Sequence, residues 1–279
     1  MSMFSHLCAF KVTQTPKSSS CGAVALLNVA LALDLDVDPV LVSDSVQTRL
    51  RRPDSPLPDY LLSRSLAGCT HHDLLAATQC PPLRDKVRAR FFPLHHRVCD
   101  LAQQLISWIS LGLVPVLTLN VQNGPRCPDG QLQDSWHHSM VWGVLGQDVY
   151  LANPLDVMSE SVLLPQLDCP STMLIRRQDI VSRFHSNLDL QHINHLGARW
   201  RHMNVLGQVV NIMREERSRV REEAASALSE TGQTEVVALT SHIRIPASYT
   251  AGVTLFCPLN NEDGLRWLAE APDLPLRPH

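Results

Sequence analysis

Three residues suited to thiol chemistry stand in separate segments of this sequence. Cys21 follows the serines of QTPKSSSCGAVALLNVALAL (14–33) and opens a run of Ala, Val and Leu. A thiol at a helix N-terminus lies at the positive end of the helix dipole, beside N–H groups outside the helical ladder, and both favour the nucleophilic thiolate. The same N–H groups can hold the oxyanion of an attacked carbonyl, and Gly22 would let a substrate backbone approach. His137 begins the apolar stretch HHSMVWGVLG, where a strand could carry an imidazole to the sulfur as general base or imidazolium partner. Asn153, in VYLANP, follows beyond a turn at Gly146-Gln147, so the chain doubles back and returns it beside the start of the previous strand. There its amide oxygen could accept from the imidazole N–H and fix the tautomer. Singly, each has a plain alternative: a core cysteine, a structural histidine, a strand-to-turn junction. Their joint order and spacing point to a nucleophile, a base and an orienting group. His138 falls on the opposite strand face, and a one-residue change of register would make it the base instead.

The elements that must position these residues are legible in part. Residues 18–20 are serines, good N-caps, and 21–33 read as a helix apolar on every face, hence buried. A short second helix fits 40–50, and RRPDSPLPD (51–59) reads as a proline-broken loop. Thr70 caps a helix to about Thr78, and Asp100–Leu111 carries Leu101, Leu105, Ile106, Trp108 and Ile109 before Gly112 closes it. The period then changes: Pro115–Val121, His137–Val144 and Val149–Ala152 read as strands, with Ser161–Leu164 and Met173–Arg176 as further candidates and a helix at Gln178–Phe184. Helices followed by an antiparallel sheet imply an α+β domain over residues 1–185. Residues 186–270 form a C-terminal α/β extension. It has a long helix over Val205–Leu228, whose REERSRVREE run reads as a solvated face, and strands at Thr234–Leu239, Ser241–Ile245 and Val253–Cys257. The tail 271–279, APDLPLRPH, reads as disordered.

The blocks CGAVALLNV, LISWISLGLVPVLTLNV and HHSMVWGVLGQDVYLANP together resemble the papain-like cysteine peptidases, in particular the compact bacteriocin-processing (double-glycine) leader peptidases. The likeness covers roughly residues 12–185. It implies a papain-like fold, a helical lobe beside an antiparallel-sheet lobe with the cleft between them. In it Cys21 is the nucleophile, His137 the base, Asn153 the orienting residue and Gln14 the side-chain donor of the oxyanion hole. Gln14 stands seven positions before Cys21, one more than is usual, so TPKSSS must bulge or another group takes that role. A looser likeness to phytochelatin synthases, through CGAVALLNVALALDLDVDP, brings Asp156 in as a rival to Asn153 and γ-glutamyl transpeptidation as a rival reaction. A catalytically inactive interaction module with the same fold is the third reading.

Bulk properties narrow the partners. A net charge of −3 and 5% aromatics give no electrostatic or stacking platform for nucleic acid. The apolar runs 22–33 and 105–121 are interrupted and too short to span a membrane. With no cationic start and apolar core of a secretory signal, a cytoplasmic protein is expected, and its eight cysteines, none in a CxxC pair, are expected to be reduced. The expected partner is a peptide or protein substrate. No cofactor is expected and no metal: His71-His72, His95-His96 and His192 with His195 fit no ligand spacing.

Overall fold

The computed structural model describes residues 20–125, 132–226 and 239–278. Gln14 and, but for its last residue, the strand expected at 234–239 lie outside them. The chain is α+β, and its described residues fall in two compact units: those within 20–50, 67–171 and 248–278 form the first, those within 51–66 and 172–247 the second.

The strands are β1 (Val87–Pro93), β2 (Val114–Asn120), β3 (Trp136–Leu145), β4 (Asp148–Ala152), β5 (Asp156–Ser159), β6 (Thr172–Arg176), β7 (His242–Pro246) and β8 (Gly252–Pro258). In the first unit six of them make an antiparallel sheet in the order β1-β8-β2-β3-β4-β5. β2 is buried along its whole length, which is why VPVLTLN reads as a continuous apolar run rather than an alternating one. Its residues nevertheless divide by parity. Leu117 and Leu119 join Val253 and Leu255 of β8 and pack with Leu101, Leu105, Trp108, Leu163 and Leu167 from helices on one face. Val114 and Val116 join Phe256 and face Ala25, Leu26 and Val29 of the helix Cys21–Ala32 on the other. That helix is apolar all round because it is enclosed on most sides. Gly112 (φ 73°) ends the helix Leu101–Ser110, and Gly146 (φ 62°) makes the β3–β4 turn.

Four expectations need correction. The chain does not divide at residue 185: β8, assigned to an extension, lies between β1 and β2 inside the first sheet. The tail is not free up to residue 278. Val98 N–H donates to Pro275 O at 2.9 Å, Arg277 N–H to His96 O at 2.8 Å, and Arg97 bridges Leu276. Residues 161–164 belong to a helix, Glu160–Leu167, and the 51–59 loop yields at Leu57 to a helix running to Leu66, since a proline in a first turn costs no helical bond. The 214–223 run is exposed at most positions, as expected, but its Glu215 and Glu216 accept from Arg177 at 2.6 and 2.9 Å, and Glu215 also from the Thr240 amide, which ties the helix Val205–Ser226 to the β6–β7 pair within the second unit.

Candidate active site

Cys21 is the first residue of its helix and half-buried, with Ser20 at the N-cap. The opening amides of a helix have no partners within it, so they face whatever approaches the sulfur. Gly22 does not leave room for a substrate. It is buried, and a Cβ there would lie 2.5 Å from Cys69 Sγ, so the glycine serves close packing against Cys69. Cys69 is a neutral thiol: burial above all, then the nearby charges of Asp73 and Cys21, push its pKa up.

His137, half-buried near the start of β3, lies near the side chain of Cys21, close enough for the sulfur to favour its charged form. Its Nε2 lies 2.5 Å from the backbone carbonyl of Asn153. A carbonyl can only accept, so Nε2 carries the proton and Nδ1 is the nitrogen left for the sulfur. The predicted orienting residue is therefore in place but works through its main chain. The side-chain amide is used elsewhere: Nδ2 donates to Cys21 O at 3.3 Å and to His138 O at 3.4 Å, and two accepting carbonyls fix which end of the amide faces them. Asn153 adopts the left-handed conformation, φ 72°, at the end of β4. Ser139 Oγ donates to the same carbonyl at 3.3 Å.

Burial is the largest influence on His137 and pulls its pKa down. The sulfur of Cys21, then the Asn153 carbonyl and Asp134, outweigh it, so the imidazolium is favoured beyond its ordinary range. Asp134 is exposed, three residues before His137, and its contribution was not anticipated.

His138 is fully buried and differently employed. Its Nε2 lies 2.7 Å from Cys69 O and its Nδ1 3.2 Å from the Thr118 hydroxyl, so both nitrogens are satisfied in a neutral ring. Burial chiefly, with the charge of His137, lowers its pKa to about 4. The Cys69 carbonyl is held by the next turn of chain. Thr70 and Asp73 form a capping box for the helix His71–Ala77, and Arg49 grips Asp73 at 2.7 and 3.1 Å. Asp156 is exposed, accepts from the Val157 amide, and has no bond to His137. Cys69, Thr118 and Ser139 escaped the sequence reading: Cys69 acts through packing and its carbonyl, Ser139 through a main-chain partner, and Thr118 pairs with His138 only across the β2–β3 register. No family model, curated protein or solved structure matches the chain.

Proposed function

We propose that the first unit is a papain-like cysteine peptidase of the cytoplasm, with Cys21 as nucleophile and His137 as its proton partner. The observation that carries this reading is one imidazole hydrogen-bonded to a fixed carbonyl and placed near the sulfur that opens a helix. The Cys21 thiolate attacks a peptide carbonyl, and first-turn amides of the helix donate hydrogen bonds to the developing oxyanion. The His137 imidazolium then gives its Nδ1 proton to the leaving amine, leaving a thioester on Cys21. Neutral His137 takes a proton from water, whose oxygen attacks the thioester, releases the acid and restores the Cys21 thiolate beside the His137 imidazolium. Cys21 is a free thiol, as its role as nucleophile requires. Asp156 standing away from His137 favours this over the phytochelatin-synthase pattern.

The test is covalent trapping. A peptide carrying an electrophilic ketone at its C-terminus is expected to add its mass to Cys21, and the parent to cleave the matching peptide amide to a free acid. Labelling of the Cys21→Ala chain to the same extent, or a product extended by an amine acceptor in place of the acid, would overturn the peptidase reading.

A further inference from the structure

A second cluster lies outside the Cys21–His137 pair. After β1 the chain turns at Leu94–Arg97, and His96 takes a left-handed conformation, φ 59°. The two imidazoles of His95 and His96 then lie side by side with centroids 3.8 Å apart. Facing them is Asp168, the C-cap of the helix Glu160–Leu167, where the helix's terminal carbonyls add to the negative potential. Asp168 Oδ1 is 3.2 Å from His95 Nδ1 and accepts the His96 N–H at 2.8 Å. One donor atom from each of the three side chains lies within 4.8 Å of the others.

We propose that His95, His96 and Asp168 bind a divalent transition cation of the zinc class. Two imidazoles and a carboxylate suit zinc better than calcium or magnesium. In a tetrahedral zinc site with bonds of about 2.0–2.1 Å, neighbouring donors stand roughly 3.3 Å apart. The His95–Asp168 separation already has that length, and the exposed ring of His96 can rotate to close the third side. Binding replaces the Nδ1–H···Oδ1 bond by Nδ1–metal–Oδ1, with the His95 proton moved to Nε2. Arg277 pairs with the other carboxylate oxygen, Oδ2, at 2.8 Å and holds the group as outer-shell partners of metal ligands do. Water takes the fourth position. The ion would fasten together the β1 turn, the helix end and the C-terminal arm, whose Arg277 amide already bonds His96 O. The sequence alone concealed the set because Asp168 lies 73 positions beyond His95.

The experiment is calorimetric titration of Zn²⁺ into the full chain carrying Cys21→Ala, which removes the candidate nucleophile as a competing ligand. One equivalent is expected to bind. His95→Ala, Asp168→Asn and His96→Gly should each weaken it by at least the ~10–100-fold that loss of an outer-shell partner costs. His96→Gly is the decisive variant, because the residue is exposed and glycine accepts the positive φ, so folding is preserved even where Asp168→Asn is not tolerated. Zn²⁺ should also raise the melting temperature of the Cys21→Ala chain but not of its His96→Gly derivative. Equal affinity in the His96→Gly chain, or no uptake at millimolar Zn²⁺, would overturn the proposal.

Discussion

At the scale of single residues, the division of labour within Asn153 has consequences that distinguish its side chain from its carbonyl. Asn153→Gly keeps the left-handed backbone and the acceptor for His137 and loses only the amide clamp on Cys21 O and His138 O. Its expected cost is about 1–2 kcal/mol of stability, the usual worth of such hydrogen bonds, with alkylation of Cys21 slowed no more than a few-fold. Asn153→Asp turns a carboxylate toward two carbonyl oxygens and should be worse on both counts; denaturant melts and alkylation rates read the two effects. The pKa of His137 offers a separate check, because it is a balance of opposed influences. In the Cys21→Ala chain the raising contributions of the sulfur are gone while burial still disfavours the charge. The His137 pKa, followed by NMR, should therefore drop. A pKa unchanged by Cys21→Ala would mean that the sulfur does not hold the proton.

At the scale of elements, the site depends on how closely the helix Cys21–Ala32 approaches the segment bearing Cys69. Gly22→Ala would push a methyl into Cys69 Sγ and Cβ, at 2.5 and 2.8 Å. Such overpacking costs about 1–3 kcal/mol, and the penalty should shrink in a Cys69→Gly background if that contact is its cause. A double-mutant cycle measures the coupling. Elements with a local cause were legible in the sequence: the buried helix after three serines, Thr70 capping the helix His71–Ala77, Gly112 and Gly146 at positive φ. Two helices were not: Leu57–Leu66, whose first-turn proline is compatible with a helix but reads as a loop signal, and Glu160–Leu167, where packing overrides the interior Pro165. The acceptor behind His137 was half legible. Residue type pointed to Asn153, but a main-chain oxygen leaves no signature in a side chain.

At the scale of the whole molecule, the placement of β8 makes the candidate catalytic unit discontinuous. A strand from residues 252–258 inserts between β1 and β2, and its Val253, Leu255 and Phe256 contribute to both faces of the core. Spacing along the chain could not reveal this, since strand order is decided by which apolar surfaces cover one another across long separations, not by proximity in sequence. A chain ending at residue 185 should therefore lack cooperative unfolding and native chemical-shift dispersion. A truncated chain that melted cooperatively would show that β8 is dispensable.

The most direct measurement of the central claim is the rate of iodoacetamide addition at Cys21 across pH, in the parent and in His137→Ala and His138→Asn. If His137 and the helix start hold a nucleophilic sulfur, the parent rate at neutral pH exceeds that of a free cysteine, whose thiolate forms only near pH ~8.5. His137→Ala should bring it back to the free rate, while folded His138→Asn keeps its elevation. A parent rate no faster than that of a free cysteine, unmoved by His137→Ala, would contradict the account.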